Sequence, residues 1–425
     1  MVSGGLINAA RDGLWLTRAR IVAFGQLLLL IQLTILVLLA LWQHGVITGQ
    51  VAPTSSDFVS FYAAGKLALA GTPQLAYNAA AHFLTEQQFT AAAAPYQYFF
   101  YPPVFLLLCA PLALLPYSVA FYGFEIATLA AFLAVMQRIL REPGWSWLAP
   151  VLAFPAVFWT FGLGQNAFLI AALFGGFTLC IERRPGLAGL LFGCICFKPH
   201  FGLLGPVALA AGRHWRAFLA AAATATGLVM LSVAWFGLES WHAYLTAFAG
   251  SNAVYSSGRI DFAGIVTPFG AARLLGLSAA VAWLMQALVA IATIAVVGLA
   301  WRRAPDGALL AAATLLAVPV ALLYDRVLLL VAIGWLIREG RQTGFQSWEK
   351  TSLLAVYLAS MVDYPIDAAC HLPLGPLISA IVLLLSLRRI RAVVDPRGQA
   401  AGTIVTRHRR GIRMSGVADL YRYRQ

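Results

Sequence analysis

The sequence predicts an all-α protein of many membrane-spanning helices, and three observations carry that reading. Of its 425 residues, 61% are hydrophobic and 11% charged, against about 25% charged in an ordinary soluble domain, and mean hydropathy is +0.81. Residues 21–42, 215–236, 278–301 and 372–387 are long apolar runs with almost no charge, close to the roughly 20 residues a helix needs to cross a bilayer. The arginines gather at the ends of these runs and in the last forty residues, which is the positive-inside pattern of a membrane protein. The net charge of +13 therefore reads as topology, and a nucleic-acid partner is not expected.

Taken in order, residues 1–20 read as a cytoplasmic N-terminus. Arg11, Arg18 and Arg20 precede a first span with no small-residue cleavage site behind it, as in a retained signal anchor. Residues 43–101 form an outer loop with one lysine and no arginine. Helical composition at 57–70 and 79–94, broken by Gly71, Thr72 and Pro73, predicts two short helices at the membrane surface. Phe58, Phe61, Tyr62, Tyr77, Phe83 and Phe89 suit such an interface. Tyr101-Pro102-Pro103 opens the next segment.

Further spans are expected at 104–115, 118–138, 147–161, 166–181, 187–211 and 215–236, followed by a second outer loop at 237–277. Spans at 278–300, 307–323, 327–337, 351–362 and 372–387 make about twelve. The membrane domain then covers 21–390, and the basic stretch 391–425 is a cytoplasmic tail. Crossing at all twelve puts Arg138, Arg141, Arg183 and Arg184 outside, against the positive-inside rule. The competing solution makes 104–138 one crossing and folds 187–211 into a hairpin broken at Lys198-Pro199-His200. Arms of only about 18 Å at 1.5 Å per residue weigh toward twelve.

Charges at membrane depth are costly, so each is a functional candidate. Lys198 lies between apolar runs beside Pro199, which removes a backbone donor and kinks a helix. With His200 it forms a plausible phosphate cradle, and a lysine snorkelling from a helix end is the plainer alternative. Glu125 reads first as a structural partner between helices. In Gly162-Leu163-Gly164-Gln165-Asn166 the amides of Gln165 and Asn166 can bond sugar hydroxyls or cap a helix. Tyr324-Asp325-Arg326 and Arg259-Ile260-Asp261 each offer an acid and a guanidinium to a phosphate or sugar, or simply neutralise themselves. Asp57, behind Ser55 and Ser56, is an exposed acid that could serve as a base or as an N-cap. Cys109, Cys180, Cys194, Cys196 and Cys370, with the scattered histidines His44, His82, His242 and His371, show no metal-ligand or disulfide spacing.

Asp57-Phe58-Val59-Ser60-Phe61-Tyr62-Ala63-Ala64-Gly65, then Gly71, Tyr77-Asn78 and Tyr101-Pro102-Pro103, resemble glycosyltransferase family 87. So do Gly164-Gln165-Asn166, Ala188-Gly189-Leu190-Leu191-Phe192-Gly193 leading to Lys198-Pro199, and Arg213 to Arg216 around Trp215. The resemblance spans about residues 20–340. It implies a GT-C-like bundle in the cell (inner) membrane with its site on the outer face. The donor would be a polyprenyl-phosphate sugar, with mannose the sugar of known relatives, and the acceptor a glycan or glycolipid. By this resemblance Asp57 is the catalytic base. Tyr62, Tyr101, Gln165, Asn166, Lys198, His200, Arg259, Tyr324, Asp325 and Arg326 are the residues expected to bind substrate. Where relatives carry a histidine near the later outer turn this chain has Tyr324-Asp325-Arg326, which leaves the sugar open.

The expected chemistry is an inverting single displacement. Phosphate departure is supported by Lys198, Arg259 or Arg326, with no cofactor and no obligatory metal. A secondary transporter or lipid-linked glycan flippase is the rival from another class, but no matching broken helices mark two halves. A surface-glycan ligase or polymerase would differ in transferring a preassembled glycan.

Overall fold

The structure, a computed structural model, describes residues 2–43, 56–90, 94–142, 144–256 and 261–394. It is 79% helical and has no strand among the described residues, so the all-α polytopic class holds. Among the described residues five helices are long and apolar enough to cross a membrane, and shorter apolar helices lie among them. Arg259 and the basic tail from residue 395 onward lie outside the described residues, as do Ser55 and His44.

Helix α1 (Val2–Asp12) lies against the start of a late helix, and α2 (Arg18–Gln43) leads away from it. The helices expected in the first loop are α3 (Phe58–Leu69) and α4 (Ala79–Glu86), joined through a 3₁₀ turn at Pro73–Tyr77. Helix α3 is not laid open on a surface, because Phe58 to Gly65 are all buried. The aromatic residues expected to mark an interface instead pack together. Phe58 meets Phe121 edge-on at 5.4 Å, and Tyr62 meets Tyr117 at 5.2 Å.

Two segments counted as crossings take other forms. The stretch 104–115 yields only α5 (Leu106–Ala113) behind a 3₁₀ turn, eight residues or about 12 Å. Its far end returns to α3, where the Tyr62 hydroxyl donates to Leu115 O at 2.7 Å. The crossing is made by α6 (Tyr117–Leu140), which starts beside Phe58 and carries Arg138 in its last turn. The chain comes back through α7 (Leu148–Leu152) and α8 (Pro155–Leu163), and descends again in α9 (Ala167–Cys180).

The stretch 187–211 is the second. It consists of α10 (Pro185–Gly193), two 3₁₀ turns at Cys194–Phe197 and Pro199–Gly202, and α11 (Gly205–Ala211). Helix α12 (Trp215–Ser256) follows and kinks at Gly237, φ 75°. Gly189 abuts the backbone of Ala217 and Ala221, and Gly193 abuts Ala221 and Thr224, so α10 and α12 run in the same direction. Gly205 meanwhile faces the Phe192 ring, so α11 runs back alongside α10. The segment is therefore a hairpin with its tip at Lys198-Pro199-His200. The glycines let α10 close onto α12, and the broken tip trades helix hydrogen bonds for a buried ion pair described below.

The rest of the chain is α13 (Pro268–Leu274), α14 (Ala279–Trp301), α15 (Gly307–Ala317), a 3₁₀ turn at Leu323–Arg326, α16 (Val327–Thr343), α17 (Glu349–Cys370) and α18 (Leu374–Val394). Helix α15 is buried along almost its whole length, from Ala308 to Ala317, as expected of a helix that is apolar all round. Long helices α2, α12 and α14 are largely uncovered by protein. The hairpin removes the conflict over charge, since Arg138, Arg141, Arg183 and Arg184 all line one cleft at the end of the bundle opposite Asp57.

Candidate active site

Asp57 stands at the head of α3 but does not cap it, since its side chain makes no hydrogen bond to the helix amides. That duty falls to Ser56, whose Oγ accepts from Phe58 N at 3.3 Å. The Asp57 carboxylate instead takes a hydrogen bond on Oδ2 from Gln165 Nε2 at 2.7 Å. Local backbone explains how Gln165 arrives there. Gly164 ends α8 at φ 70°, a conformation that favours glycine. A side chain at that position would also strike Phe58, Ser56 and Phe121. Ser56 Oγ ties the two loops by donating to Leu163 O at 3.0 Å.

Asn166, the next residue, heads α9 without capping it. Its side chain lies beside that of Tyr101, whose hydroxyl is within electrostatic reach of both Asp57 and Asp325. Asn166 Oδ1 is also 3.5 Å from Lys198 Nζ. Lys198 is buried at the hairpin tip, which sets aside snorkelling, and its Nζ lies 2.6 Å from Asp325 Oδ1. It also sits over the Phe201 and Tyr324 rings at 4.8 and 5.5 Å. Asp325 Oδ2 accepts from Leu322 N, which fixes the 3₁₀ turn. Asp57, Tyr101, Gln165, Asn166, Lys198 and Asp325, drawn from five separate stretches of chain, thus form one polar cluster.

Burial raises the Asp57 carboxyl above the ordinary aspartate range, and the hydrogen bond from Gln165 works against that rise. Beneath α3 lies a second polar pair. His82 Nε2 is 3.0 Å from Ser60 O, and Glu86 Oε2 accepts from Gln97 N at 3.1 Å. Burial pushes Glu86 up to about 8 and His82 down to about 4. Both anchor the loop carrying Asp57, and an i, i+4 His/Glu pair among alanines was the signal for them.

The remaining expected residues divide. His200 flanks the tip, its ring 5.0 Å from Phe201, close enough to feel the Lys198 charge. Tyr324 contributes its ring to Lys198 and its carbonyl to Thr160 Oγ1. Tyr62 is turned away, its hydroxyl spent on Leu115 O and its ring on Phe89 and Tyr117. Asp325 and Arg326 do not neutralise each other. Asp325 pairs with Lys198, while Arg326 is buried against Asp363 of α17. Sequence reasoning missed Asp363, although an acid in an apolar stretch calls for a partner. Asp261 accepts from Ala263 N and from the Tyr364 hydroxyl. Glu125 is fully buried in α6 and has no hydrogen-bond partner among the described residues.

Comparison with known families gives a match to the model of glycosyltransferase family 87 over residues 99–325. That range takes in Tyr101, Gln165, Asn166, Lys198 and Asp325 and leaves Asp57 and Arg326 outside. No curated protein and no solved structure matches the chain. A match over more than half of the 425 residues, on an all-α polytopic fold, shows that the chain belongs to glycosyltransferase family 87, a family of membrane glycosyltransferases.

Proposed function

We propose that this enzyme transfers a hexose, mannose in the first instance, from a polyprenyl-phosphate donor to a glycan or glycolipid acceptor, with Asp57 as general base. One observation carries the proposal: Asp57 is not spent as a helix cap, and Gln165 holds it at the edge of a cluster containing Lys198, Asn166 and Tyr101. With Oδ2 taken by Gln165, Oδ1 is the oxygen to receive the proton. The acceptor hydroxyl loses its proton to Asp57 as its oxygen bonds to the anomeric carbon. The bond from that carbon to the phosphate oxygen breaks, and polyprenyl phosphate leaves with the electron pair.

A base of this kind contributes roughly 10² to 10⁴ in rate. Leaving-group support falls to Lys198 and the amides around it, with Arg259 a further candidate. Arg326 is a candidate as well: like Lys198 it is ion-paired, to Asp363, and its Nε and Nη2 have no hydrogen-bond partner among the described residues. A family-typical monophosphate leaves already charged, so no obligatory metal is proposed. The arginine-rich end faces the cytoplasm by the positive-inside rule, which turns the Asp57 end outward.

Asp57→Asn tests the reading. The variant should insert and melt like wild type yet lose transfer of labelled sugar from polyprenyl-phosphate mannose into extracted membrane acceptors. Wild-type transfer by the variant would remove Asp57 from the chemistry. Loss of mannose transfer in wild type, with transfer from another polyprenyl-phosphate hexose, would change the sugar alone.

A further inference from the structure

A cleft of about 1260 Å³ opens at the end of the bundle opposite Asp57. It is lined by six arginines, Arg138, Arg141, Arg183, Arg184, Arg303 and Arg338, against three carboxylates, Glu182, Asp306 and Glu339. The carboxylates do not cancel them. Asp306 caps α15, accepting from Leu309 N at 2.7 Å. None of the six arginines forms an ion pair among the described residues, whereas neighbouring Arg18 and Arg341 share Glu142. Arg141 and Arg183 are near enough to Arg338 to repel it.

The walls change character with depth. Above the arginines they are apolar, with Leu169, Leu173 and Leu179 from α9 facing Leu187 and Leu191 from α10. Leu187 is 40% exposed, so the cleft opens sideways onto the surface that hydrocarbon would cover. A cationic floor under an apolar, sideways-open wall fits an amphiphile and not a freely soluble anion. Basic pockets between helices are known to hold anionic lipid headgroups.

We propose that this cleft binds one anionic phospholipid, its phosphate held by Arg138, Arg141, Arg183 and Arg338 and its acyl chains lying between α9 and α10. The site is separate from the Asp57 cluster and does not depend on the reaction assigned to it. Bound there, the lipid ties the base of the Lys198 hairpin to α6 and α16 and relieves the repulsion among the guanidiniums.

The experiment is native mass spectrometry of the full-length chain released from micelles doped equally with phosphatidylglycerol and phosphatidylcholine. Retention of one phosphatidylglycerol per chain is expected, at least tenfold over phosphatidylcholine. At about 1 kcal/mol per arginine near a charged lipid surface, each loss should weaken retention roughly fivefold. Arg138→Gln with Arg183→Gln should therefore weaken it roughly thirtyfold, while Arg216→Gln, outside the cleft, should not. Exposed Arg183→Gln alone gives the reading if the double variant does not fold. Equal retention of the two lipids overturns the proposal, as does retention undiminished by the cleft substitutions. Displacement of phosphatidylglycerol by millimolar inorganic phosphate overturns it too, since that marks a soluble-anion site.

Discussion

Removing Lys198 tests the hairpin tip most directly. The Lys198–Asp325 pair is 2.6 Å long, with side chains 7% and 1% exposed, so neither charge has water to fall back on. Lys198→Met keeps the volume but leaves Asp325 buried without its counter-charge, held by one backbone amide from Leu322. Breaking a buried pair from one side costs about 3–5 kcal/mol, whereas replacing both partners is far milder. Lys198→Met with Asp325→Asn should cost about 1–2 kcal/mol, because the asparagine oxygen still accepts from Leu322 N and no charge is stranded. Asp325→Asn alone strands Lys198 at a similar cost, so the two single effects sum to about 6–10 kcal/mol against about 1–2 for the pair, and the cycle should be far from additive. Equilibrium unfolding of the detergent-purified chain, followed by tryptophan fluorescence, reads all four corners of the cycle. A single substitution costing under about 1 kcal/mol, or strict additivity, would refute the reasoning that this pair holds the tip.

Other outcomes follow from the same geometry. Gln165→Leu should lower kcat about 10- to 100-fold with KM little changed, since a hydrogen bond to a charged group is worth roughly 1.5–3 kcal/mol. It should also move the acidic limb of the rate profile to higher pH, because Asp57 acts when deprotonated and loses the contact that opposes its raised pKa; an unshifted limb would detach Gln165 from the base. Glu86 is raised to about 8, so its stabilising contribution is full below about 4.5 and is lost as pH rises toward 8. Glu86→Gln should remove that loss, read as a higher melting temperature than wild type at pH 8 and little change at pH 5. His82, lowered to about 4, contributes above about 6.5 and loses its contribution as pH falls through 4. Gly65 abuts the backbone of Cys109, so Gly65→Ala should cost about 1–3 kcal/mol by overpacking α3 on α5, measured in the same unfolding assay. Prolonged chelation with EDTA should leave the initial rate of transfer unchanged.

Composition and charge were enough to read the fold class, because a chain this apolar has no soluble alternative. The polar exceptions were legible for the same reason, and Asp57, Gln165, Asn166, Lys198 and Asp325 all stood out against their surroundings. Their partners were not. Lys198 and Asp325 are 127 residues apart, and nothing local distinguishes a lysine that will find Asp325 from one that will snorkel. Asp325 and Arg326 are adjacent and looked self-neutralising, yet consecutive residues on a tight turn point to different neighbours, here Lys198 and Asp363. The hairpin at 187–211 was hidden because a short helix buried by protein and a helix crossing lipid are equally apolar. What separates them is the run of glycines that lets α10 close onto α12, a pattern that hydropathy does not weigh.

Helix length explains where the site lies. Helices α6 and α9 both reach the arginine cleft, yet α6 has 24 residues and α9 only 14, about 36 and 21 Å at 1.5 Å per residue. The Asp57 end of α9 therefore stops short of the end of α6, in keeping with Gly164 abutting Phe121 in the second turn of α6. A hydrocarbon layer is about 30 Å thick, so the polar cluster is sunk toward the lipid instead of standing above it. Sinking charges is tolerable only when they are paired, and Lys198–Asp325 and Arg326–Asp363 are. Within the cluster Asp57 is the exception: among the described residues its partner is a neutral amide. A lysine in place of Gln165 would hold Asp57 ionised but drain its basicity. Gln165 orients the carboxylate while burial keeps its affinity for a proton high, which is the combination the proposed role of general base needs.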